Sequence, residues 1–433
     1  MKSRNWLVYT IIFIFSAIYV FNHEKYTKRI EIINGYCENF SVNRGQDLEF
    51  YLNAQVNHKK GVVCIYDVNN QIIDSLILNL IIQNPSTDTL LYRHGYQYTR
   101  KYTYNTSKLK SGIYFLGNVV PFIVKEPQLI DAITVVFPFA NFMALSNEGG
   151  KSFDTGNSSH GIAAEVLSMH RLPYFRNSPF AFIKWIKEAY RHKNINFISD
   201  LDLENVSQLN HTKLLILYGY HGFMTLKARR NLDAYLGNGG NLLAICSNLI
   251  NNKMLYDETK KELIFSIPKN DSNVNSKNAA TWNKFFPNTI SIGCSYELSY
   301  EVKKIKPSMG AYLIINKKHL IFKDIEEDSI KLDTKNGNAI AVLDSSFKSV
   351  PQADNKANDF VLNNILAFDY GQFSNKQTVT GIFNFKRTSK SGEIIVIGNE
   401  KWCYAENIQN STISTITSNC INLLSENSSS AKH

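Results

Sequence analysis

Two residues are placed where chemistry is done. His221 follows the apolar run Lys213-Leu214-Leu215-Ile216-Leu217-Tyr218-Gly219-Tyr220, and Cys246 closes a second run, Gly239-Gly240-Asn241-Leu242-Leu243-Ala244-Ile245. If the runs are neighbouring parallel strands, both side chains reach one rim, where ligands bind in such sheets. A thiolate beside an imidazole is a workable nucleophile and base, so His221 and Cys246 are the candidate catalytic pair. The plainer readings stand beside it. Cys246 is flanked by Ala244 and Asn248 rather than the glycines of a sharp elbow, as suits a small buried hydrophobe. His221, in a glycine-rich turn, can simply cap backbone groups.

Six further residues are candidates for substrate binding: Asn141, Lys151, Arg171, Asn248, Glu400 and Trp402. Asn248 offers an amide, Glu400 a carboxylate and Trp402 a stacking face. Arg171 either clamps a carboxylate or sulfate or pairs with Asp200 or Asp202. His160 and His170 would join His221 as metal ligands only outside any known metal spacing, and no metal site is assigned. Gly149-Gly150-Lys151-Ser152 looks like a phosphate loop but lacks the upstream glycine. Asp200 and Asp202 suit a functional site or a turn equally.

The elements that must hold these residues follow from periodicity. The two apolar runs flank an amphipathic helix that starts at Thr225, a good N-cap, and carries Ala228, Leu232, Tyr235 and Leu236 on one face. This is a βαβ unit. Ala132 to Phe139 reads as the first strand of the same sheet, ending in a polar loop from Asn141 to Ser152. Pro179 to Arg191 reads as a helix and Asn196 to Ile198 as a short strand. Residues 255–390 read as a β-rich insertion that caps the strand ends, with a surface loop at Asn270 to Lys277. Glu393 to Gly398 supplies a late strand, and Ile413, Ile416, Cys420, Leu423 and Leu424 mark a closing helix before a loose tail from Ser425.

Upstream, residues 30–126 show short β-type segments at Ile30 to Ile33, Leu48 to Leu52, Gly61 to Tyr66, Ile72 to Leu78, Gly112 to Leu116 and Val119 to Val124. Turn signals at Asn43 to Gln46 and Val68 to Asn70 divide them, as in an antiparallel sandwich. Tyr92, Tyr96, Tyr98, Tyr102 and Tyr104 form either a sugar-stacking surface or ordinary strand faces. Before that domain, Lys2 and Arg4 precede an uncharged run from Trp6 to Phe21 with no small-residue cleavage site after it. This reads as an uncleaved signal anchor. At 16 residues it spans roughly 24 Å as a helix, extendable through its flanks. The main body is therefore expected outside the cytoplasm, in the cell envelope, and secreted if the segment is cleaved.

Composition bounds the rest. A chain of 433 residues that is 44% hydrophobic suits two folded domains. The net charge of +10 is scattered rather than clustered, without a nucleic-acid motif, so nucleic acid is excluded as a partner. The membrane, a small amide, an envelope glycan and a second copy of the chain remain as partners. Six single cysteines make no disulfide framework, though one bridge, Cys37 to Cys64, suits an exported chain.

Taken in order, Ala140 to Ser152, Ser168-Met169-His170-Arg171, Ser199 to Leu203, Leu214 to Thr225, Gly239 to Asn248, His319-Leu320-Ile321-Phe322 and Gly398-Asn399-Glu400-Lys401-Trp402 resemble the C-terminal domain of the large (beta) subunit of N,N-dimethylformamidase. Gly35-Tyr36, Ser41 to Gly45 and Ser111 to Tyr114 resemble the β-sandwich that precedes it. The resemblance implies a three-layer α/β domain similar to class I glutamine amidotransferases over residues 127–433. It also implies an amidohydrolase whose mononuclear iron is held by tyrosine and glutamate oxygens, polarising an amide carbonyl and acidifying a bound water. Here the expected tyrosine falls at Leu145 and the expected glutamate at Gly222, neither of which offers a ligand. Only Tyr114 or Tyr104 is left to stand for a further tyrosine. The sequence therefore carries two functional readings: a hydrolase of carbon–nitrogen bonds, or a non-catalytic relative that binds a glycan or a protein.

Overall fold

The computed structural model describes residues 31–83, 90–154, 163–175, 179–265, 292, 311–332, 361–373 and 376–426. The expected anchor at residues 6–21, the loop at residues 270–277 and most of the tail lie outside these. Among the described residues no helix is long and apolar enough to cross a membrane.

The first domain is built from β1 (Ile32–Cys37), β2 (Ser41–Asn43), β3 (Asp47–Ala54), β4 (His58–Asp67), β5 (Ile72–Leu80), β6 (Lys101–Asn105), β7 (Gly112–Leu116) and β8 (Val120–Lys125). A sheet ordered β1-β3-β6 faces one ordered β2-β8-β7-β4-β5. Alternate residues of each strand meet between them: Leu48, Phe50 and Leu52 from β3, Val63 and Ile65 from β4, Tyr102 and Tyr104 from β6. The strand reading of Tyr102 and Tyr104 therefore describes them, with both rings buried. Cys37 and Cys64 are buried free thiols, which corrects the expected bridge; Cys37 faces the Pro121 carbonyl at 3.9 Å instead.

The second domain runs β9 (Ala132–Phe137), α1 (Phe139–Leu145), β10 (Val166–Ser168), α2 (Phe180–Ala189), β11 (Ile195–Ser199), β12 (Thr212–Thr225), α3 (Leu226–Gly237) and β13 (Asn241–Asp257). It continues with β14 (Glu262–Phe265), β15 (Ala311–Ile314), β16 (Ser329–Lys331), β17 (Val361–Phe373), β18 (Lys376–Lys386), β19 (Glu393–Ile397) and α4 (Ser411–Glu426). Strands β11-β9-β12-β13-β19 are parallel neighbours. Being covered on both faces, they read as unbroken apolar runs. Leu215, Leu217, Leu242 and Ala244 pack on Ala228, Leu232 and Leu236 of α3. Leu214, Ile216, Leu243 and Ile245 face the opposite side, where α2 contributes Phe182, Ile183 and Ile186 and α4 contributes Ile413, Ile416 and Cys420. The whole is a mixed α/β protein with several sheets, mostly β.

Three local expectations are corrected. Residues 139–145 form a buried helix, not a loop, because Phe139, Phe142, Met143 and Leu145 are all apolar and all find the core. Strands β12 and β13 run well past the expected rim. The described part of the insertion does not cap strand ends: β18, β17, β15 and β16 prolong the sheet beyond β19, and β14 pairs with the extension of β13.

The two domains are joined by a seam of buried polar and aromatic contacts. The Asp202 carboxylate accepts from Ser41 Oγ at 2.6 Å and Ser199 N at 2.7 Å, and pairs with Lys125. Ser111 Oγ donates to Asn196 at 3.1 Å and accepts from Phe197 N at 2.8 Å. Phe40 stacks on Phe139 with ring centroids 3.9 Å apart.

Candidate functional site

The rim after β9 and β11 is tied to β12 through one carboxylate. Asp200, immediately after β11, is buried and accepts from Ala140 N at 2.9 Å, Asn141 N at 3.0 Å, Asn141 Nδ2 at 2.7 Å and Leu201 N at 3.1 Å. It thereby closes the orphaned first turn of α1 and caps the turn that follows β11. Burial pushes its pKa up to about 6, against the pull of the Ala140 and Asn141 donors. Asn141 continues the chain of bonds: Nδ2 donates to Phe223 O at 3.0 Å and Oδ1 accepts from Phe223 N at 2.7 Å. The side chain expected to bind substrate is thus fully used in tying α1 to β12.

Arg171 is used in the same way. Its guanidinium is buried and donates to five backbone carbonyls: Ser168 at 2.9 Å, Met143 at 2.6 Å, Glu148 at 2.8 Å, Ser146 at 3.3 Å and Lys151 at 3.4 Å. It pairs with neither Asp200 nor Asp202 and clamps the loop after α1. Burial lowers its pKa to about 10, opposed by Glu148 and Tyr96. Lys151 is half-buried with Nζ 5.1 Å from the Tyr92 ring, a cation–π contact.

His221 and Cys246 do not form a hydrogen-bonded pair. His221 lies inside β12, opposite Leu249 and after a bulge at Gly219, whose φ of +78° suits glycine. The imidazole is fully buried and, beyond a marginal contact with the Val136 backbone, neither ring nitrogen has a hydrogen-bond partner. Burial drives it down to about 3, only partly offset by the Val136 backbone, so it is neutral at pH 7. Cys246 sits opposite Gly219 on the α3 side of the sheet, its thiol donating to Leu217 O at 3.4 Å.

The remaining candidates are placed as follows. Glu400 and Trp402 lie in a short turn of helix, Glu400–Cys403, after β19. Glu400 accepts from Tyr404 Oη at 3.1 Å, and Trp402 donates to Thr417 Oγ1 at 2.7 Å while lying against Tyr312. Asn248 belongs to β13, its side chain outside the described residues, as is His160. His170 stands in the seam between the domains, stacked on Tyr36 at 4.3 Å and 3.9 Å from Glu38. Tyr36, Tyr96 and Tyr98 form a buried stacked cluster there, Tyr96 donating to Glu148 at 2.6 Å. Those rings are joints between domains, so the sugar-stacking surface is not formed by them. Among the described residues no group of three or more His, Cys, Asp or Glu side chains is placed to hold a metal.

With the geometry in view, the family model described as N,N-dimethylformamidase beta subunit-like, C-terminal, matches residues 84–405, roughly three quarters of the chain. The chain belongs to that family. No curated protein matches it. The dimethylformamidase-like match opens before β6, so it takes in the last three strands of the sandwich as well as the parallel sheet.

The residues at the two positions where the family resemblance implies iron ligands do not fit the metal. Leu145 is a buried apolar side chain at the end of α1. At Gly222 the space is filled: a β-carbon built there meets the Tyr220 ring carbons and hydroxyl at 2.8 Å. The residue that sequence reasoning missed is therefore Tyr220, whose ring lies over the glycine two positions on. Asp200 was visible as an acid directly after a strand, yet its role as the anchor of α1 depends on the helix at 139–145, which the sequence did not announce.

Proposed function

We propose that this dimethylformamidase-like chain has lost the family's metal chemistry and works as a non-catalytic binding or assembly protein of the cell envelope, carried by an anchor at residues 6–21. The observation that supports this reading is the Tyr220 ring over Gly222, in the place where a metal-binding carboxylate would stand. Around it, Asn141, Asp200 and Arg171 are bonded to protein groups and make the rim a structural joint. A protein partner is favoured over a glycan because Tyr36, Tyr96 and Tyr98 are consumed between the domains. The test is iron content of the purified full-length chain by elemental analysis. The reading expects substoichiometric iron, and one iron per chain would overturn it.

A second reading, a carbon–nitrogen hydrolase, draws on His221, a buried imidazole with no hydrogen-bond partner beyond that marginal contact. A buried ring without well-formed hydrogen bonds is costly to the fold. An amide-hydrolysis screen separates the readings. Turnover that is lost in His221→Ala and in Cys246→Ser supports the hydrolase; absence of turnover in the wild type supports the assembly protein.

A further inference from the structure

The sandwich ends in a strand that is, among the described residues, paired on one side only. Among the described residues β5 pairs only with β4, at the edge of its sheet. Its sequence, Ile72-Ile73-Asp74-Ser75-Leu76-Ile77-Leu78-Asn79-Leu80, has no lysine, arginine, proline or glycine, the residues by which edge strands are ordinarily blunted. Ile73 and Ile77 share its outward face, Ile77 at 69% exposure. Beyond residue 78 the edge is covered: Tyr102 Oη donates to Asn79 O at 2.8 Å, and Ala54 N donates to Ile81 O. The open stretch is therefore short and centred on Ser75.

That stretch is complementary to itself. Antiparallel pairing about a two-fold axis at Ser75 sets Ile73 of one copy against Ile77 of the other, twice, and Ser75 against Ser75. The charges also agree. Asp74 falls opposite Leu76 rather than opposite another acid, and each Asp74 already carries Lys108 at 3.3 Å, so the joint brings together two acids and two ammoniums with no net charge. On a molecule with a formal charge of +10, such a neutral strip is where a second copy meets least repulsion.

We propose that β5 is a self-association edge through which two copies of this chain pair antiparallel about Ser75, joining two sandwich sheets into one. This names a partner for the assembly role above and fails separately from it, since iron content tests that role and oligomeric state tests this edge. Two short strands bury less than a standard interface, so the dimer is weak and concentration-dependent.

Sedimentation equilibrium of the full-length chain in mild detergent, over a wide range of concentration, tests the edge. A monomer–dimer equilibrium is expected, with Ile77→Lys weakening the dimer by about tenfold or more and Val206→Lys, another exposed apolar site elsewhere, leaving it unchanged. Residues directly opposite across antiparallel strands have Cα atoms about 4.5 to 5.5 Å apart, within disulfide reach, so Ser75→Cys should form a disulfide-linked dimer on mild oxidation that the wild type does not. A monomer at every concentration overturns the proposal. So does a dimer that survives Ile77→Lys, or a Ser75→Cys chain that gives no cross-link.

Discussion

The strand-end rim and the β5 edge are opposites. At the rim, where parallel sheets usually bind ligands, the polar groups of Asn141, Asp200 and Arg171 are bonded to the protein itself. At β5, far plainer in sequence, Ile73 and Ile77 stand out on the exposed face, and among the described residues the strand pairs with β4 alone. Hydrogen-bonding capacity that is spent internally cannot recognise a ligand, whereas an open strand edge still can. The lesson is that the place a fold offers for chemistry and the place a chain keeps free for contact need not coincide.

The contrast breaks most visibly at Asp200. Asp200→Ala leaves three backbone N–H groups and one of the two Asn141 amide N–H bonds without an acceptor in the interior, and is expected to cost about 3 to 5 kcal/mol. Urea denaturation measures it. Asp200→Asn is expected to cost less, because one amide oxygen still accepts. If Asp200→Ala costs under about 1 kcal/mol, the carboxylate is not the anchor of the rim and is free for other work.

Much of this architecture was legible beforehand, and the reasons are local. The βαβ unit showed itself because α3 carries its own cap, Thr225 accepting from Ala228 N at 3.2 Å, and its own apolar face. Strand alternation exposed the sandwich. What could not be read was set by contacts between distant residues. Helix α1 depends on Asp200, some sixty positions away, and the closed rim depends on where the Tyr220 ring turns. The extension of β12 through His221 to Thr225 crosses two glycines, which punctuate a sequence without ending a strand that stays paired with β13. The family order of short motifs located the site, but only side-chain placement showed that it is filled.

The next largest effect is on the pH dependence of stability. His221 is held at about 3 in the fold against about 6.5 when exposed, so the unfolded chain binds a proton that the folded chain refuses. Its contribution is present above pH 6.5 and is lost as pH falls towards 3. Asp200 has the opposite sign: raised to about 6, its contribution is present below about 3.8 and lost as pH rises through 6. His221→Phe, which keeps an apolar ring, should therefore gain about 2 to 3 kcal/mol on the wild type between pH 7 and pH 4.5. Thermal melts at both values check this. Equal pH slopes in the two proteins would mean that the imidazole reaches water, reopening the rim as a site of chemistry.

A smaller effect probes the plug over Gly222. Gly222→Glu must displace the Tyr220 ring and is expected to destabilise by about 1 to 3 kcal/mol without raising iron content. Adding Tyr220→Ala should recover part of that loss, and elemental analysis of the double variant reads whether the carboxylate finds a metal. If the single change costs nothing, the ring moves aside freely and the rim is less closed than its bonding suggests.

The smallest effect on the fold should accompany the clearest effect on assembly. Ile77 is more exposed than any other large hydrophobe described, so replacing it by lysine removes almost no buried contact and should shift unfolding by no more than about 0.5 kcal/mol. Pairing about Ser75 would set the new ammonium against Ile73 of the other copy and strip it of water, a cost borne only by the dimer. The same substitution therefore separates the two regions: stability and iron content, which report on the rim, stay where they were, while the sedimentation profile moves to monomer. A change in both together would mean that the edge and the rim are coupled through β4 and β7, and that the sandwich is part of the site rather than its support.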